Sequence, residues 1–309
     1  MIKLSNLICI LGLTLIISCK EKHQPRYPVP KDAAASFNII YDSLSNLHTT
    51  LSPPNDDDWL KDHPESGQTF KEYIHSKPIG LTATRTKLYL AILGDFDSIQ
   101  QNMVKKTLEY LSIFYACEAE LISIEVDFSS IPKKYFRYNE NNEIQVLTDF
   151  FLKKLLLENL PNDAFGLIGC TNYDIFPDPQ WNFVFGQASL HNRVGVWSMN
   201  RLEDNTHATE FKEKTTLRNL KVASHETGHI LSLKHCTSYE CIMNGSAHID
   251  ETDSKPVYLC PICLGKTHFN RQFNLTDRFQ NLESFWNRNK ISIYHQYYEI
   301  VKGIQFSVH

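Results

Sequence analysis

The chain has 309 residues, of which 42% are apolar and 21% charged, with a formal net charge of −4. That length buries a substantial core, the composition excludes a disordered or polytopic membrane chain, and the lack of a basic excess argues against nucleic acid as a partner. With 12 Gly, 13 Pro and 8 Cys the chain is neither fibrous nor a disulfide scaffold, so the spacing of the cysteines matters more than their number.

At the amino end, Met1 and Lys3 precede an apolar run from Leu7 to Ile17. At ~1.5 Å per residue that run is too short for a ~30 Å hydrocarbon core, and it reads as the apolar part of a signal peptide. It ends in Ile16-Ile17-Ser18-Cys19, which resembles the bacterial lipobox. The resemblance implies cleavage before Cys19 and lipidation of its thiol. Residues 1–18 are thus expected to be a lipoprotein signal peptide. Residues 19–54, with Pro25, Pro28 and Pro30, are expected to be a lipid-anchored tether, and 55–309 the folded domain. The mature protein would work outside the cytoplasm, in the periplasm or at the cell surface, held to a membrane by its lipid.

Along the body, Lys87–Leu93 reads as a buried strand, and Asp95, Asp97 and Ser98 offer helix caps. Ile99, Met103, Thr107, Leu108, Leu111 and Phe114 or Tyr115 then recur at helical spacing. Ala119–Val126 alternates as a strand does, and Thr148–Leu160 reads as an amphipathic helix stopped by Pro161. Phe165–Gly169 is a short apolar run, and Trp181–Phe185 and Val194–Ser198 are strand-like. Leu217–Leu231 reads as a helix, and Leu275, Phe279, Leu282 and Phe285 mark another. Strands alternating with helices predict an α/β (α+β) fold.

The chemistry concentrates at 225–263. His225-Glu226-Thr227-Gly228-His229 on a helix places two imidazoles on one face, able to bind one Zn²⁺ with Glu226 as general base. His235, ten residues after the first His, supplies a third nitrogen and leaves a fourth tetrahedral position for water, as a catalytic zinc needs. Cys236, Cys241, Cys260 and Cys263 follow in two pairs. Four thiolates suit a closed structural zinc, and C-x-x-C brackets a metal readily. Disulfides are the alternative that an extracytoplasmic address permits.

The segment from His225 to Cys263 resembles the archaemetzincin signature, an extended zinc-binding motif followed by C-x4-C-x-M and a later C-x-x-C. The likeness continues in Tyr173–Pro179, Trp181–Gly186 and Val194–Val196, and more faintly in Trp59–Tyr73. The resemblance implies a metzincin-like mixed sheet over an active-site helix, with a C-terminal helical subdomain braced by zinc. It makes His225, His229 and His235 the ligands of a catalytic zinc, Glu226 the catalytic base and acid, and Met243 the Met-turn residue. The four cysteines become ligands of a second, structural zinc. The implied activity is peptide-bond hydrolysis by a monomeric metallopeptidase on a peptide or protein substrate, with an aminopeptidase-like preference. A non-catalytic zinc- or peptide-binding lipoprotein is the rival reading.

Two departures stand out. Ser232 occupies the position where metzincins usually have Gly, and a non-Gly residue at positive φ there costs roughly 1–2 kcal/mol. The Met243–Cys260 gap is one residue shorter than the family's usual spacing, and Gly245 offers no tyrosine ligand. His248 is expected to be a polar loop residue, Cys117 and Cys170 small buried side chains, Tyr173, Trp181 and Trp197 packing residues, and Asp56–Asp58 a solvated loop.

Overall fold

A computed structural model describes residues 32–203, 210–291 and 294–306. Helices α1 (Ala33–Leu44), α2 (Trp59–Asp62) and α3 (Phe70–His75) precede strand β1 (Lys87–Leu93). Helix α4 (Ser98–Phe114) leads to β2 (Glu118–Ser123). Strands β3 (Phe136–Tyr138) and β4 (Ile144–Leu147) are followed by a π-helical segment, Phe150–Leu156. Then come β5 (Ala164–Thr171), β6 (Asp174–Phe176), β7 (Gly186–Ala188) and β8 (Val194–Ser198). The chain closes with α5 (Glu210–Ile230), α6 (Ile249–Ser254), α7 (Pro261–Arg271), α8 (Leu275–Asn289) and α9 (His295–Lys302).

The main sheet has the order β2-β1-β5-β8-β7, parallel except for β7, which runs antiparallel to β8 at the edge. Its central strands are covered on both faces, which is why β5 is buried along its whole length and reads as an unbroken apolar run. Leu88, Leu90 and Ile168 face a core shared with α4, α5 and the C-terminal helices. Tyr89, Ala91, Leu93 and Leu167 face the π-helical segment and the small β3-β4-β6 sheet. The fold is thus the expected mixed α/β arrangement, with α5 lying against β7 and β8.

Several boundaries differ from expectation. The helix at 148–160 is a wide π-helical segment that sets Phe150, Phe151, Leu152 and Leu156 together in the core, more than one stripe of a regular helix admits. Trp181–Phe185 is not a strand. Side chains take its first carbonyls, with Arg137 donating to those of Trp181 and Asn182, as well as to that of Pro179, and Gln145 to that of Asn182 at 2.7 Å; its end keeps single backbone bonds, Val184 N–H to Ile175 O at 3.0 Å and Ser198 N–H to Phe185 O at 2.9 Å. The expected tether ends before α1. Ile40 and Leu44 are fully buried, Phe37 lies against Gly265 of α7, and Leu51 N–H donates to Ser238 O at 3.1 Å. Residues 33–51 are therefore built onto the cysteine-rich region, because their apolar spacing finds a partner there that composition alone does not reveal. Cys19 and the signal-peptide segment lie outside the described residues. No helix among the described residues is long and apolar enough to cross a membrane.

Candidate metal centre and active site

Helix α5 carries His225 and His229 one turn apart, with their Nε2 atoms 3.0 Å from each other. Each ring is oriented from behind: Nδ1 of His225 donates to Ile242 O at 2.9 Å, and Nδ1 of His229 donates to Leu233 O at 2.7 Å. Both Nε2 lone pairs are thereby left to face the same point. Burial pushes His225 well below the usual imidazole range and His229 down to about 3, so both rings stay neutral, as ligation requires.

The third histidine depends on how α5 ends. Ser232 adopts φ +68°, Leu233 N–H reaches back to Gly228 O at 3.0 Å, and Ser232 N–H to His229 O at 2.8 Å. This is a Schellman turn. It reverses the chain so that His235 meets the other two rings, with centroids 5.2 Å and 5.0 Å away. One ligand atom from each of the three histidines lies within 4.8 Å of the others. Nδ1 of His235 donates to Glu65 at 2.8 Å, and Glu65 also accepts from Trp59 Nε1 at 2.6 Å. Burial pushes Glu65 up, but these two hydrogen bonds outweigh it and hold the carboxyl below its ordinary value.

Glu226 is 5% exposed and its Oε2 has no hydrogen-bond partner among the described residues. Burial pushes it up to about 8, against an opposing pull from Lys255. Gly186 of β7 faces it so closely that a Cβ there would stand 2.6 Å from Glu226 Cγ, which explains a glycine at that position. Met243 is fully buried beneath α5, and a Cβ on Gly228 would lie 2.4 Å from its sulfur. The same turn fixes both centres, since Ile242 O holds His225 and Met243 O accepts from Cys236 N–H at 2.8 Å.

The four cysteine sulfurs form the second group, all within 4.8 Å of one another and all buried. Cys236 Sγ and Cys260 Sγ are 3.6 Å apart, and the four thiols are unbonded to each other. Zn–S bonds of ~2.3 Å in a tetrahedron set sulfurs about 3.8 Å apart, so the cage fits a zinc as it stands. The nitrogens fit similarly, since Zn–N bonds of ~2.0–2.1 Å set them about 3.4 Å apart. Hydrogen bonds from the other three thiols pull Cys236 far below its usual range. The Cys236 sulfur pushes Cys263 up, and burial pushes Cys241 up. Cys260 N–H donates to Cys241 Sγ at 3.2 Å, which supports negative charge in the cage.

Both groups assemble from residues singled out in the sequence. Glu65 carries no such signal, because its partner His235 is 170 positions away and no local spacing marks such a pair. The aromatic wall is only partly visible in the sequence: His63 stacks on Trp181 at 4.8 Å and meets Trp59 at a tilt at 4.3 Å, with the two indoles 5.7 Å apart. Trp181 thus lies on the wall of the site, while Trp197 is core, with its Nε1 on Asn219 at 3.1 Å, and Tyr173 packs on Phe128 at 4.1 Å. His248 caps α6, accepting from Glu251 N–H at 3.3 Å, and is not brought to either centre. Cys117 and Cys170 are free thiols.

The three histidines and Glu226 open onto a cavity of about 1050 Å³, bounded by β7, the 177–185 segment, α2 and the chain after Met243. Three converging imidazoles, a buried glutamate lining the same space and a methionine floor define a zinc-peptidase site of the metzincin type. The sequence pattern of peptidase family M54 matches residues 87–268. Archaemetzincin-2 of Rattus norvegicus is 31% identical over 282 residues, covering 80% of this chain and 77% of the relative. The human protein of that name is also 31% identical, over 278 residues, covering 80% and 76%. Among solved structures, the archaemetzincin of Methanopyrus kandleri is similar at 26% identity and TM-score 0.50, covering 62% of this chain and 98% of that one. The chain belongs to peptidase family M54, the archaemetzincins, and is a zinc metallopeptidase.

Proposed function

We propose that the protein hydrolyses peptide bonds with Glu226 as the proton-transferring residue and two zinc ions per chain, one catalytic and one structural. His225, His229 and His235 would hold a Zn²⁺, which would supply a Lewis acid able to acidify water and polarise a carbonyl. Glu226 takes the proton of the attacking water and returns it to the departing amine. Its environment suits proton transfer, since the carboxylate is buried, one oxygen has no protein partner, and it shares a helical turn with two metal ligands. A divalent cation beside it would bring its raised pKa back down, leaving a base poised near neutrality. The edge strand β7, paired among the described residues only with β8, lines the cavity and leaves main-chain groups for an extended substrate to pair with. The structural zinc would sit in the four-cysteine cage and brace the start of α7.

The unpartnered oxygen of Glu226, which lines the same cavity as the histidines, carries this reading, because a purely structural metal site has no use for it. The test is a peptide library read by mass spectrometry, with zinc content measured alongside. Cleavage abolished by Glu226→Gln, with two zinc ions retained per chain, supports it. Two bound zinc ions with no cleavage by the unmodified protein, and no effect of Glu226→Gln, overturn it in favour of a zinc- or peptide-binding lipoprotein. The aminopeptidase-like preference that the family resemblance implies is part of the proposal, and N-acetylated and free forms of one peptide check it. So are the monomeric state, checked by sedimentation, and membrane attachment outside the cytoplasm through Cys19. For the last, the support is the Leu7–Cys19 sequence, and Cys19→Ser should release the protein from the membrane fraction.

A further inference from the structure

Two lysines line the cavity and take no part in the proposed reaction. Lys221 lies on α5 one helical turn before His225, and its amine donates to the carbonyls of Thr252 at 3.1 Å and Asp253 at 2.7 Å. Lys255 directly follows α6, and its amine donates to the carbonyl of Asn244, the residue after Met243. Both amines are thus fixed by backbone oxygens. Among the described residues neither forms an ion pair, and the carboxylates around them are committed elsewhere. Asp253 takes Arg218 at 2.8 Å and 2.6 Å, with Lys214 at 3.3 Å. Glu251 accepts the N–H of Trp59 at 3.1 Å and of Ala247 at 2.6 Å. Glu226 serves as the base. Burial pushes Lys221 down to about 8 and Lys255 down to about 7, so each ammonium is held where its charge is unfavourable and an incoming anion would relieve it.

We propose that Lys221 and Lys255 form a carboxylate-binding subsite beside the catalytic zinc, so that preferred substrates carry a carboxylate next to the scissile bond. That carboxylate is an acidic side chain or the substrate's own free carboxyl terminus. The inference rests on the peptidase reading and names its substrate class. A buried amine with an N–H to spare in the cavity that the histidines line discriminates strongly between a carboxylate and its amide, because the amide leaves the charge unanswered.

The test uses zinc-loaded full-length protein and fluorescent peptides differing at one position, Asp against Asn and Glu against Gln, each with a free or amidated terminus. Cleavage is read as kcat/KM, and binding as fluorescence anisotropy on the Glu226→Gln protein, which needs no turnover. Carboxylate peptides should be favoured about tenfold or more in both measures, and Lys255→Gln should remove the preference. Lys221→Gln should reduce it, and Lys255→Glu should turn it toward Lys-containing peptides. An effect confined to free-terminus peptides assigns the carboxylate to the terminus, and one that survives amidation assigns it to a side chain. If circular dichroism shows Lys255→Gln unfolded, Lys221→Gln and Lys255→Arg carry the test, the arginine retaining the preference. Equal handling of acid and amide, or a preference that survives both glutamine changes, overturns the subsite. Cleavage without preference sinks the subsite alone, whereas selective binding without cleavage sinks the hydrolase reading alone.

Discussion

Ser232 stands where a glycine would relieve strain, and the structure shows what holds a serine there. At φ +68° its backbone carries about 1 kcal/mol of strain relative to glycine. Its hydroxyl, in a residue only 9% exposed, accepts from Ile79 N–H and donates to Leu190 O, both at 3.0 Å. Those bonds tie the end of α5 to the chain before β1 and to the turn between β7 and β8. Ser232→Gly removes the strain but orphans a buried N–H and a carbonyl, a loss of about 2–4 kcal/mol for the two together. The expected net destabilisation is about 1–3 kcal/mol. Ser232→Ala loses the same bonds and keeps the strain, so it should fall about 1 kcal/mol below the glycine variant. Urea unfolding of the zinc-saturated protein measures all three. A glycine variant as stable as the parent would show that the hydroxyl bonds contribute nothing. Equal stabilities for the alanine and glycine variants would remove the case for strain and, with it, the account of how His235 is delivered.

Four other outcomes follow from the same geometry. Cys260→Ser should release the structural zinc and destabilise the fold by several kcal/mol, since zinc binding of about 10–16 kcal/mol is coupled to folding; an unchanged melting temperature with the full zinc count refutes the cage. Glu65→Gln should weaken zinc binding at the histidine site by about 10–100-fold in chelator competition, because it removes the carboxylate that orients His235. Gly228→Ala should cost about 1–3 kcal/mol by driving a Cβ to 2.4 Å from the Met243 sulfur, and Met243→Ala in the same chain should recover part of it. His48, buried among Tyr239, Tyr258 and Tyr297, is pushed by burial from 6.5 down to about 4. The folded state therefore binds fewer protons than the unfolded chain between these values, and this contribution is present above pH 6.5 and lost as pH falls toward 4. Between pH 7 and 5 the parent should lose about 2 kcal/mol more than His48→Phe, measured as unfolding free energies at the two pH values.

What can be read from the residues alone divides along physical lines. The histidine and cysteine clusters are legible because a helix and a short turn impose fixed offsets, so i, i+4 and C-x-x-C spacings carry geometry directly. The buried strands β1 and β5 are legible because burial on both faces leaves an apolar run with no competing period. Illegible are the features made by contacts distant in sequence. Glu65 meets His235 across 170 positions, and α1 finds its apolar partner on α7. The carbonyls of Trp181 and Asn182 are taken by the side chains of Arg137 and Gln145 rather than by a strand. Gly186 and Gly228 mark the intermediate case. Each can be noted as a glycine beside the motif, but only the approach of Glu226 to one and Met243 to the other says why no side chain fits. The histidines and cysteines are thus brought together by local spacing, while their orientation and the character of the cavity come from residues that tertiary structure recruits. Lys221 shares the i, i+4 spacing of His225 on α5, but Lys255 reaches the cavity only through the fold, so the proposed preference, which needs both, has to be sought there.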